Sequence, residues 1–454
     1  MLNAINCSKK EWVEKGNGAM SIYLEEYHRK LTSPEKAVER IREGDNVVHG
    51  VTFAEPPALL HAIAKRARAG DLQKVFIYSF NPQQHAAESY LALDIQDFIF
   101  ARSWFLGPSA RRLAAVGLVQ YIPSYLHQVP KFLRENMTVD VCVTTVSPMD
   151  KAGFFSFGTA NDLTSTAASL AKTLIVEVNK NMPRVFGSSM AHISEVDAVV
   201  ENHVPLMQQP LPEVKEQDAV IGRLISEIIP DNAVLQLGIG TLPNAICPFL
   251  ENHKDLGIHS ELFGPGMKDL IVKGVITGRK KTLHPRKHVF SVAYGGDDTF
   301  AFMDDNPSMA SYPSDYVMDP KIIAQNDNMV SVNSIIQVDL TGQCNAEYLS
   351  GKMYSGTGGQ LDFVRGAYAA KNGKSILTFY STAMAGKVSR VVPFLDRNAA
   401  VTTPRMDVHY LCTEYGLVNV KNKSEGERAL AIIDLAHPDF REDLIRCAEQ
   451  MRIL

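Results

Sequence analysis

Short apolar runs and mixed, partly polar segments follow one another along the whole chain. The apolar runs are rich in β-branched residues and predict buried strands, because parallel strands covered on both faces are apolar almost throughout. The segments between them, such as Glu35–Gly44 and Glu55–Ala67, are predicted helices. This alternation is typical of an α/β protein. The clearest predicted strands are Val139–Val146, Thr173–Val178, Ala233–Gly240 and Ser375–Tyr380.

The two halves of the chain resemble each other in sequence. Asp45 and Pro57 in the first half match Asp231 and Pro243 in the second, both at an offset of 186 positions. Two further matches, each beside a predicted strand, have offsets of 189 and 202; they pair Asp150–Gly153 with Asp339–Gly342 and Lys172–Val178 with Lys374–Tyr380. Ungapped spacing across a strand, a loop and a helix start indicates an internal duplication.

A proline-rich stretch near the middle, His203–Asp218, has the composition of an interdomain connection. With 454 residues the chain exceeds the size at which one core stops growing. We therefore expect two similar open α/β domains, residues 1–215 and residues 216–454.

Composition excludes several classes of protein. The hydrophobic fraction of 45% and the charged fraction of 21% are those of a globular chain, and the net charge of −4 gives no pull toward nucleic acid or anionic membrane. The six cysteines form no CxxC pair, which argues against a zinc site or a disulfide framework. Residues 1–20 contain no apolar signal region, and no apolar run approaches the roughly 20 residues of a membrane helix. We expect a soluble, cytoplasmic protein.

The duplication singles out one carboxylate. Ile77–Ser79 aligns with Ile258–Ser260 at an offset of 181, which places Phe80 opposite Glu261. The pairing requires a gap, since this offset differs from that of the neighbouring match. Ligand sites in α/β sheets gather at the carboxyl ends of strands, so a carboxylate that only one half carries there is a candidate for chemistry. The structural alternative is a helix cap or a salt bridge.

Two glycine-rich segments are candidate ligand loops. Gly238 and Gly240 follow a predicted strand and precede Pro243, an arrangement that suits close approach of a ligand to a helix N-terminus but equally suits a structural turn. The pattern does not complete GxGxxG, so no dinucleotide site is predicted. The second segment, Tyr354–Ala367, has three glycines in four residues and could expose backbone amides as an oxyanion hole does, or form a flexible surface loop.

Together these motifs resemble the acetyl-CoA hydrolase/transferase family, and most closely its 4-hydroxybutyrate CoA-transferase branch. The resemblance covers about 400 residues in order. Besides the segments around Glu261, Gly238 and Gly358, it rests on Ser147–Gly158 (SPxDxxGxxSxG), Lys281–Pro285, Asn326–Ser334, Lys387–Pro393, Thr413–Gly416 and Ala436–Arg441.

The resemblance implies two CoA-transferase-type domains with Glu261 as the nucleophile that carries CoA as a glutamyl thioester. It also implies that Gly358, Gly359, Gln360 and Asp362 contact CoA or its thioester oxygen. Coenzyme A is then a co-substrate, with no permanently bound cofactor and no metal. The acids expected for the branch are 4-hydroxybutyrate, butyrate and acetate; itaconate or succinate would require a cation in the acyl pocket. A homo-oligomer is the usual expectation for such an enzyme.

Three positions bear on the acyl pocket. The chain has Gly264-Pro265-Gly266 where relatives commonly have Ser-Asp-Gly, and Met318 where they often have Asn. Glu55 of the first half is expected either to face the acyl group or to stabilise a helix N-terminus. The alternatives are an acyl-CoA hydrolase and a non-catalytic CoA-binding protein of the same fold.

Overall fold

Parallel strands and helices alternate in the structure as the apolar pattern predicts. It is a computed structural model and describes residues 21–209, 213–238 and 240–454. The predicted strand Thr173–Val178 is observed with the same bounds, and its residues are almost all buried. The α/β fold class is confirmed.

The strands of the first half are β1 (Asn46–His49), β2 (Val75–Ser79), β3 (Ile99–Ser103), β4 (Val119–Tyr121), β5 (Val141–Val146), β6 (Phe154–Ser156), β7 (Thr173–Val178), β8 (Phe186–Gly187), β9 (Met190–His192) and β10 (Ala198–Glu201). Those of the second half are β11 (Val234–Leu237), β12 (Gly257–Phe263), β13 (His288–Ala293), β14 (Met309–Ser311), β15 (Met329–Ser334), β16 (Gln337–Asp339), β17 (Cys344–Asn345), β18 (Tyr348–Leu349), β19 (Lys352–Met353), β20 (Lys374–Thr378), β21 (Thr382–Ala383), β22 (Val388–Ser389), β23 (Val391–Val392), β24 (Tyr410–Thr413) and β25 (Gly416–Asn419).

The α-helices are Ile22–Lys30, Pro34–Val38, Pro57–Arg68, Gln84–Glu88, Pro108–Ala114, Val129–Glu135, Thr164–Leu170, Glu216–Ser226, Thr241–Asn244, Pro265–Val272, Asp297–Met303, Ser314–Val317, Pro320–Ile323, Gln360–Ala369, Glu425–Asp434 and Pro438–Gln450. Short 3-10 helices lie at Thr52–Ala54, Leu93–Ile95, Leu126–Gln128, Ile193–Glu195 and Cys247–Leu250.

One predicted helix is shorter than expected. The pattern predicts a helix over Glu35–Gly44, whereas the observed helix is Pro34–Val38. The Arg66 side chain donates hydrogen bonds to the carbonyls of Val38 and Ile41. These carbonyls are therefore satisfied by a side chain from another helix, and the chain can leave the helix there.

The two large sheets have the same strand order. The first runs β10-β7-β5-β1-β2-β3-β4, with every pair of neighbours parallel. The second runs β25-β24-β20-β15-β11-β12-β13-β14-β8, and only its β24–β25 pair is antiparallel. Without β25 and β8, its strands follow one another in the order of the first sheet. The expected duplication is thus present in the topology, with β2 equivalent to β12.

The two halves interlock. Strand β8 comes from the first half but pairs with β14 at the edge of the second sheet. The backbone of Thr159 and Asn161, also from the first half, bonds to Ala293 and Ser291 at the end of β13. One buried apolar cluster contains Trp104 from the first half together with side chains of the second. The division at residue 215 stays a prediction, and residues 210–212 of the proline-rich connection lie outside the described residues.

Three expected absences can be compared with the part of the chain that the structure describes. None of its helices is both long and apolar enough to cross a membrane. Within residues 21–209, 213–238 and 240–454, no three His, Cys, Asp or Glu side chains gather as a metal site requires. The cysteines of these residues are free thiols: Cys142, Cys247, Cys344, Cys412 and Cys447. Cys7 and the rest of residues 1–20 lie outside the described residues.

Candidate active site

Glu261 lies near the carboxyl end of β12, a central strand of the second sheet. The strand GIHSELF begins with buried residues and becomes partly accessible at Glu261. A parallel strand in this position directs its last residues toward the edge of the sheet where ligands bind. Its equivalent in the first half, Phe80, is buried and contacts the ring of Phe105 with a centroid distance of 5.3 Å.

The glycine-rich loop reaches the Glu261 carboxylate. The backbone N–H of Gly359 donates a hydrogen bond of 2.9 Å to Glu261 Oε2. A Cβ on Gly359 would lie 2.5 Å from the same oxygen, and a Cβ on Gly358, whose φ is +56°, would lie 3.5 Å from Oε1. No side chain fits at Gly359 without displacing the carboxylate. The loop therefore presents bare backbone to Glu261.

The environment of Glu261 favours its neutral form. Burial raises the pKa of Glu261 to about 7, and the charges of Asp162 and Asp362 act in the same direction, while the Gly359 N–H opposes them. Burial also raises the pKa of Asp162 to about 7, and Oδ2 of this residue has no hydrogen-bond partner among the described residues. Carboxyl groups tuned toward neutrality are common where acids and nucleophiles act.

Gln360 and Asp362 occupy the first turn of the helix Gln360–Ala369, directly after the glycines. Gln360 is buried, and within the described residues its Nε2 lacks a hydrogen-bond acceptor. Such a buried donor is available to a ligand. Asp362 is buried and accepts a hydrogen bond of 2.7 Å from His127 Nδ1 of the first half.

Met318 lies beside the glycine loop. It is fully buried at the end of the helix Ser314–Val317, and its Sδ would lie 3.1 Å from a Cβ on Gly359. Gly264 is the N-cap of the helix Pro265–Val272 and packs against the ring of Tyr294, where a Cβ would approach Cζ to 2.4 Å. Met318 thus contacts the loop that holds Glu261, whereas Gly264 supports the turn that follows it.

Gly238 and Gly240 lie next to the strand of Glu261, because β11 pairs with β12. Gly238 packs against Asn333, whose side chain exchanges hydrogen bonds with Gln236. Gly240 has a φ of +119° and open space where a Cβ would lie. Ile239, between them, lies outside the described residues.

Glu55 is buried within the first half. Its carboxylate accepts hydrogen bonds from the backbone N–H groups of Gln83 and Ala86, at 2.7 and 3.2 Å, at the start of the helix Gln84–Glu88. Burial raises the pKa of Glu55 to about 8. This geometry matches the helix-stabilising alternative; a role in the acyl pocket stays a prediction.

The residues of the first half that hold the glycine loop were not predicted from the sequence. The Leu106 N–H donates to the carbonyl of Ser355 at 2.9 Å, and Arg111 Nε donates to the carbonyl of Tyr354 at 2.6 Å. A Cβ on Gly356 would lie 3.1 Å from Phe105 Cα. Trp104 and Phe105 directly follow β3, so the carboxyl-end rule, applied to both halves, would have identified this segment.

Comparisons with known proteins identify the family of this chain. The model of the acetyl-CoA hydrolase/transferase N-terminal domain matches residues 17–207, and that of the C-terminal domain matches residues 295–448. The chain is 42% identical over 421 residues to the 4-hydroxybutyrate coenzyme A transferase of Clostridium kluyveri, covering 92% of this chain and 97% of that one. It is 39% identical over 439 residues to the succinyl-CoA:cyclohexane-1-carboxylate CoA transferase of Geobacter metallireducens, covering 97% and 99%.

A similar structure has been solved. RipA from Yersinia pestis superposes with a TM-score of 0.93 at 46% identity, covering 96% of this chain and 100% of that one. Domain models that match most of the chain, and relatives that match it nearly end to end, rule out a local resemblance. The chain belongs to the acetyl-CoA hydrolase/transferase family, and it is a CoA-transferase.

Proposed function

We propose that this protein moves CoA from an acyl-CoA to a short carboxylic acid and that Glu261 carries the CoA between them. The observation that supports this is the Glu261 carboxylate at a strand end, held by the Gly359 N–H at 2.9 Å and faced by Gly358 and Gly359, which have no side chains. A carboxylate so held can act as a nucleophile, and the N–H beside it can stabilise an oxyanion.

The proposed reaction exchanges one thioester for another. A Glu261 oxygen attacks the carbonyl carbon of the acyl-CoA, the C–S bond breaks, and the products are a mixed anhydride and CoA thiolate. The thiolate then attacks the Glu261 carbonyl carbon, releasing the first acid as its carboxylate and leaving a glutamyl-CoA thioester. The acceptor carboxylate reverses the two steps. The steps need no redox change or net proton transfer, and they require Glu261 ionised at the start.

The Gly359 N–H has the same partner in each proposed intermediate. It bonds Oε2 of the free carboxylate, and this oxygen becomes the carbonyl oxygen of both the anhydride and the glutamyl thioester. The oxyanion that forms when thiolate attacks develops on that oxygen, so the donor is already in place. Gln360 Nε2, which has no hydrogen-bond partner within the described residues, is a second candidate donor.

The proposed acids are short monocarboxylates. Met318, Phe105 and Phe80 give the surroundings of the glycine loop an apolar wall, which suits the acyl chains of butyrate, 4-hydroxybutyrate or acetate better than a second carboxylate. Itaconate and succinate are therefore the contrasting substrates to test.

The nucleotide end of CoA is proposed to lie at the same edge of the second sheet. A cavity of about 550 Å³ has in its lining Tyr380 and Tyr415, which follow β20 and β24, and Arg390, which lies between β22 and β23. Strands β20 and β24 lie three and four positions from β12, a span of about 14–19 Å at the usual strand spacing. This span is comparable with an extended pantetheine arm. Arg390, which makes no ion pair in the described residues, would bind the phosphates.

We further propose a homo-oligomer that acts in the cytoplasm and holds no permanent cofactor, with the division between two domains near residue 215. Coenzyme A would be bound only as a co-substrate.

The test of the proposed function is direct trapping of the intermediate. After incubation with butyryl-CoA, borohydride should reduce the glutamyl thioester, and mass spectrometry should find the modification on the peptide that contains Glu261. Glu261→Gln should abolish both modification and transfer, while Glu25→Gln, a control at an exposed position of the helix Ile22–Lys30, should preserve them. Full inactivation by borohydride with Glu261 unmodified would contradict the proposal. CoA release without an acceptor acid, at the rate of transfer, would identify a hydrolase.

A further inference from the structure

A short element of the first half touches both parts of the second half that border Glu261. The 3-10 helix Leu126–Gln128 packs against the helix Ser314–Val317, which leads into Met318. From the same element, His127 Nδ1 lies 2.7 Å from Asp362 Oδ1. The Asp362 side chain is 4% exposed and that of His127 24%, so the pair is largely removed from solvent.

Asp362 is closely linked to the donor of the Glu261 hydrogen bond. It lies three residues after Gly359, on the first turn of a ten-residue helix. A helix turn is rigid, so a shift of Asp362 also shifts the Gly359 N–H. Asp362 also acts on Glu261 through its charge, which favours the neutral carboxyl.

We infer that His127 is a positioning residue for Glu261: its hydrogen bond holds the helix that carries the Gly359 N–H, and its positive charge balances Asp362. The inference rests on the proposed function, in which the ionised Glu261 is the nucleophile. A neutral residue at position 127 would leave the buried charge of Asp362 unbalanced, and the ionised form of Glu261 would become less favourable.

The charged groups around the pair are compatible with a protonated His127. Burial lowers the pKa of His127, but the hydrogen bond and charge of Asp362 outweigh it; Asp319 adds to the increase and Arg365 opposes it. The net pKa of His127 lies above its ordinary value. Arg365 itself pairs with Asp407 at 3.0 Å. Asp162 and Asp362 are the charges that act on Glu261.

If the His127–Asp362 contact only held the two halves together, the pH dependence of adduct formation would differ from that expected if His127 balances the charge of Asp362. His127→Asn keeps an amide donor near the position of Nδ1 but cannot carry a charge. Asp362→Asn keeps an acceptor for the His127 N–H and removes the negative charge. The two variants therefore remove opposite charges from the same pair. Asp362→Asn keeps the side-chain volume, whereas His127→Asn also removes the ring that stacks on Tyr125.

The experiment follows the rate at which borohydride-trappable Glu261 adduct forms from butyryl-CoA, as a function of pH. We expect the acid limb of the profile to shift upward in His127→Asn, by about half a pH unit or more, and downward in Asp362→Asn. The control His61→Asn, which replaces an exposed histidine on the helix Pro57–Arg68, should superpose on the unmodified protein. His127→Gln serves as a second variant if the Asn variant does not fold.

Acid limbs that coincide in all variants, or that shift in the same direction in both, would overturn the inference, even with a reduced rate. Failure of the proposed function looks different. In that case no variant, nor the unmodified protein, yields an adduct on Glu261, whereas failure of the His127 inference alone leaves the adduct in every variant.

Discussion

Glu261 is a partly accessible residue whose surroundings disfavour its charged form. Because burial and the charges of Asp162 and Asp362 raise the pKa of Glu261 to about 7, the nucleophilic form prevails only above that pH. We expect kcat/KM for an acyl-CoA to rise with pH up to about 7, roughly tenfold per unit below it, and then to level off. The measurement is initial transfer rate at subsaturating acyl-CoA from pH 5 to 9, on the free enzyme. A profile flat from pH 5 upward would mean that the attacking group is already ionised there.

Met318 is expected to set acyl selectivity. Its thioether cannot donate a hydrogen bond, and Sδ would lie 3.1 Å from a Cβ on Gly359. In Met318→Asn, a new hydrogen-bond donor beside the loop should change the order of kcat/KM among acetyl-, butyryl-, succinyl- and itaconyl-CoA. The change should be measurable, because one oxyanion donor can contribute a factor of about 10²–10³ to kcat. Met318→Leu, which keeps the apolar volume, should preserve that order. The same relative rates in all three proteins would show that Met318 does not set acyl selectivity.

Glu55 is expected to affect stability more than substrate choice. A carboxyl whose pKa is higher in the folded than in the unfolded protein destabilises the folded state as pH rises. The loss of stability begins near the ordinary pKa of glutamate and ends near the pKa of Glu55 in the folded protein, here about 8. Glu55→Gln should therefore gain in melting temperature relative to the unmodified protein between about pH 5 and pH 8, with a free-energy difference on the order of a few kcal/mol.

For the same variant the order of acceptor acids should not change. A changed order with intact stability would instead support Glu55 in the acyl pocket.

Among the elements, the helix Gln360–Ala369 is the one whose start decides the site. Its N-terminus favours a nearby anion, and Gly359 must lack a side chain because a Cβ would lie 2.5 Å from Glu261 Oε2. Gly359→Ala should reduce kcat by about 10²–10³ with little change in melting temperature, since the added methyl displaces the carboxylate from its donor. Gly296→Ala is a matched control, because there the nearest atom is Oε1 of the flexible Gln208 side chain at 3.2 Å. Near-normal kcat in Gly359→Ala would show that this N–H is dispensable.

At the scale of the whole molecule, the proposed CoA site extends across the edge of the second sheet. If the cavity beside Arg390 holds the phosphates of CoA, Arg390→Ala should raise KM for acyl-CoA about tenfold or more and leave the KM of the acceptor acid unchanged. Arg405→Ala, which removes an exposed arginine paired with Glu425, is the control. Equal KM values for acyl-CoA in both variants would place the nucleotide elsewhere.

The strands, the duplication and the main candidate were accessible from the sequence because they depend on local patterns. Buried parallel strands are apolar over their whole length, as in Thr173–Val178, and a repeated spacing survives in the sequence whether or not the halves touch. Glu261 stood out because its equivalent, Phe80, carries no charge. Gly358 and Gly359 stood out because a run of glycines, which has no side chains, is visible in the sequence itself.

Only the tertiary structure decided what surrounds that candidate. His127 and Asp362 are 235 positions apart, and Arg111 and Tyr354 are 243 apart, yet both pairs form hydrogen bonds. Nothing in the local pattern of either partner indicates the other, because such contacts depend on how the two duplicated sheets face each other. The raised pKa of Glu261 has the same origin: burial and the charges of Asp162 and Asp362 create it, and Asp162, in the first half, lies near Glu261 only because the halves pack.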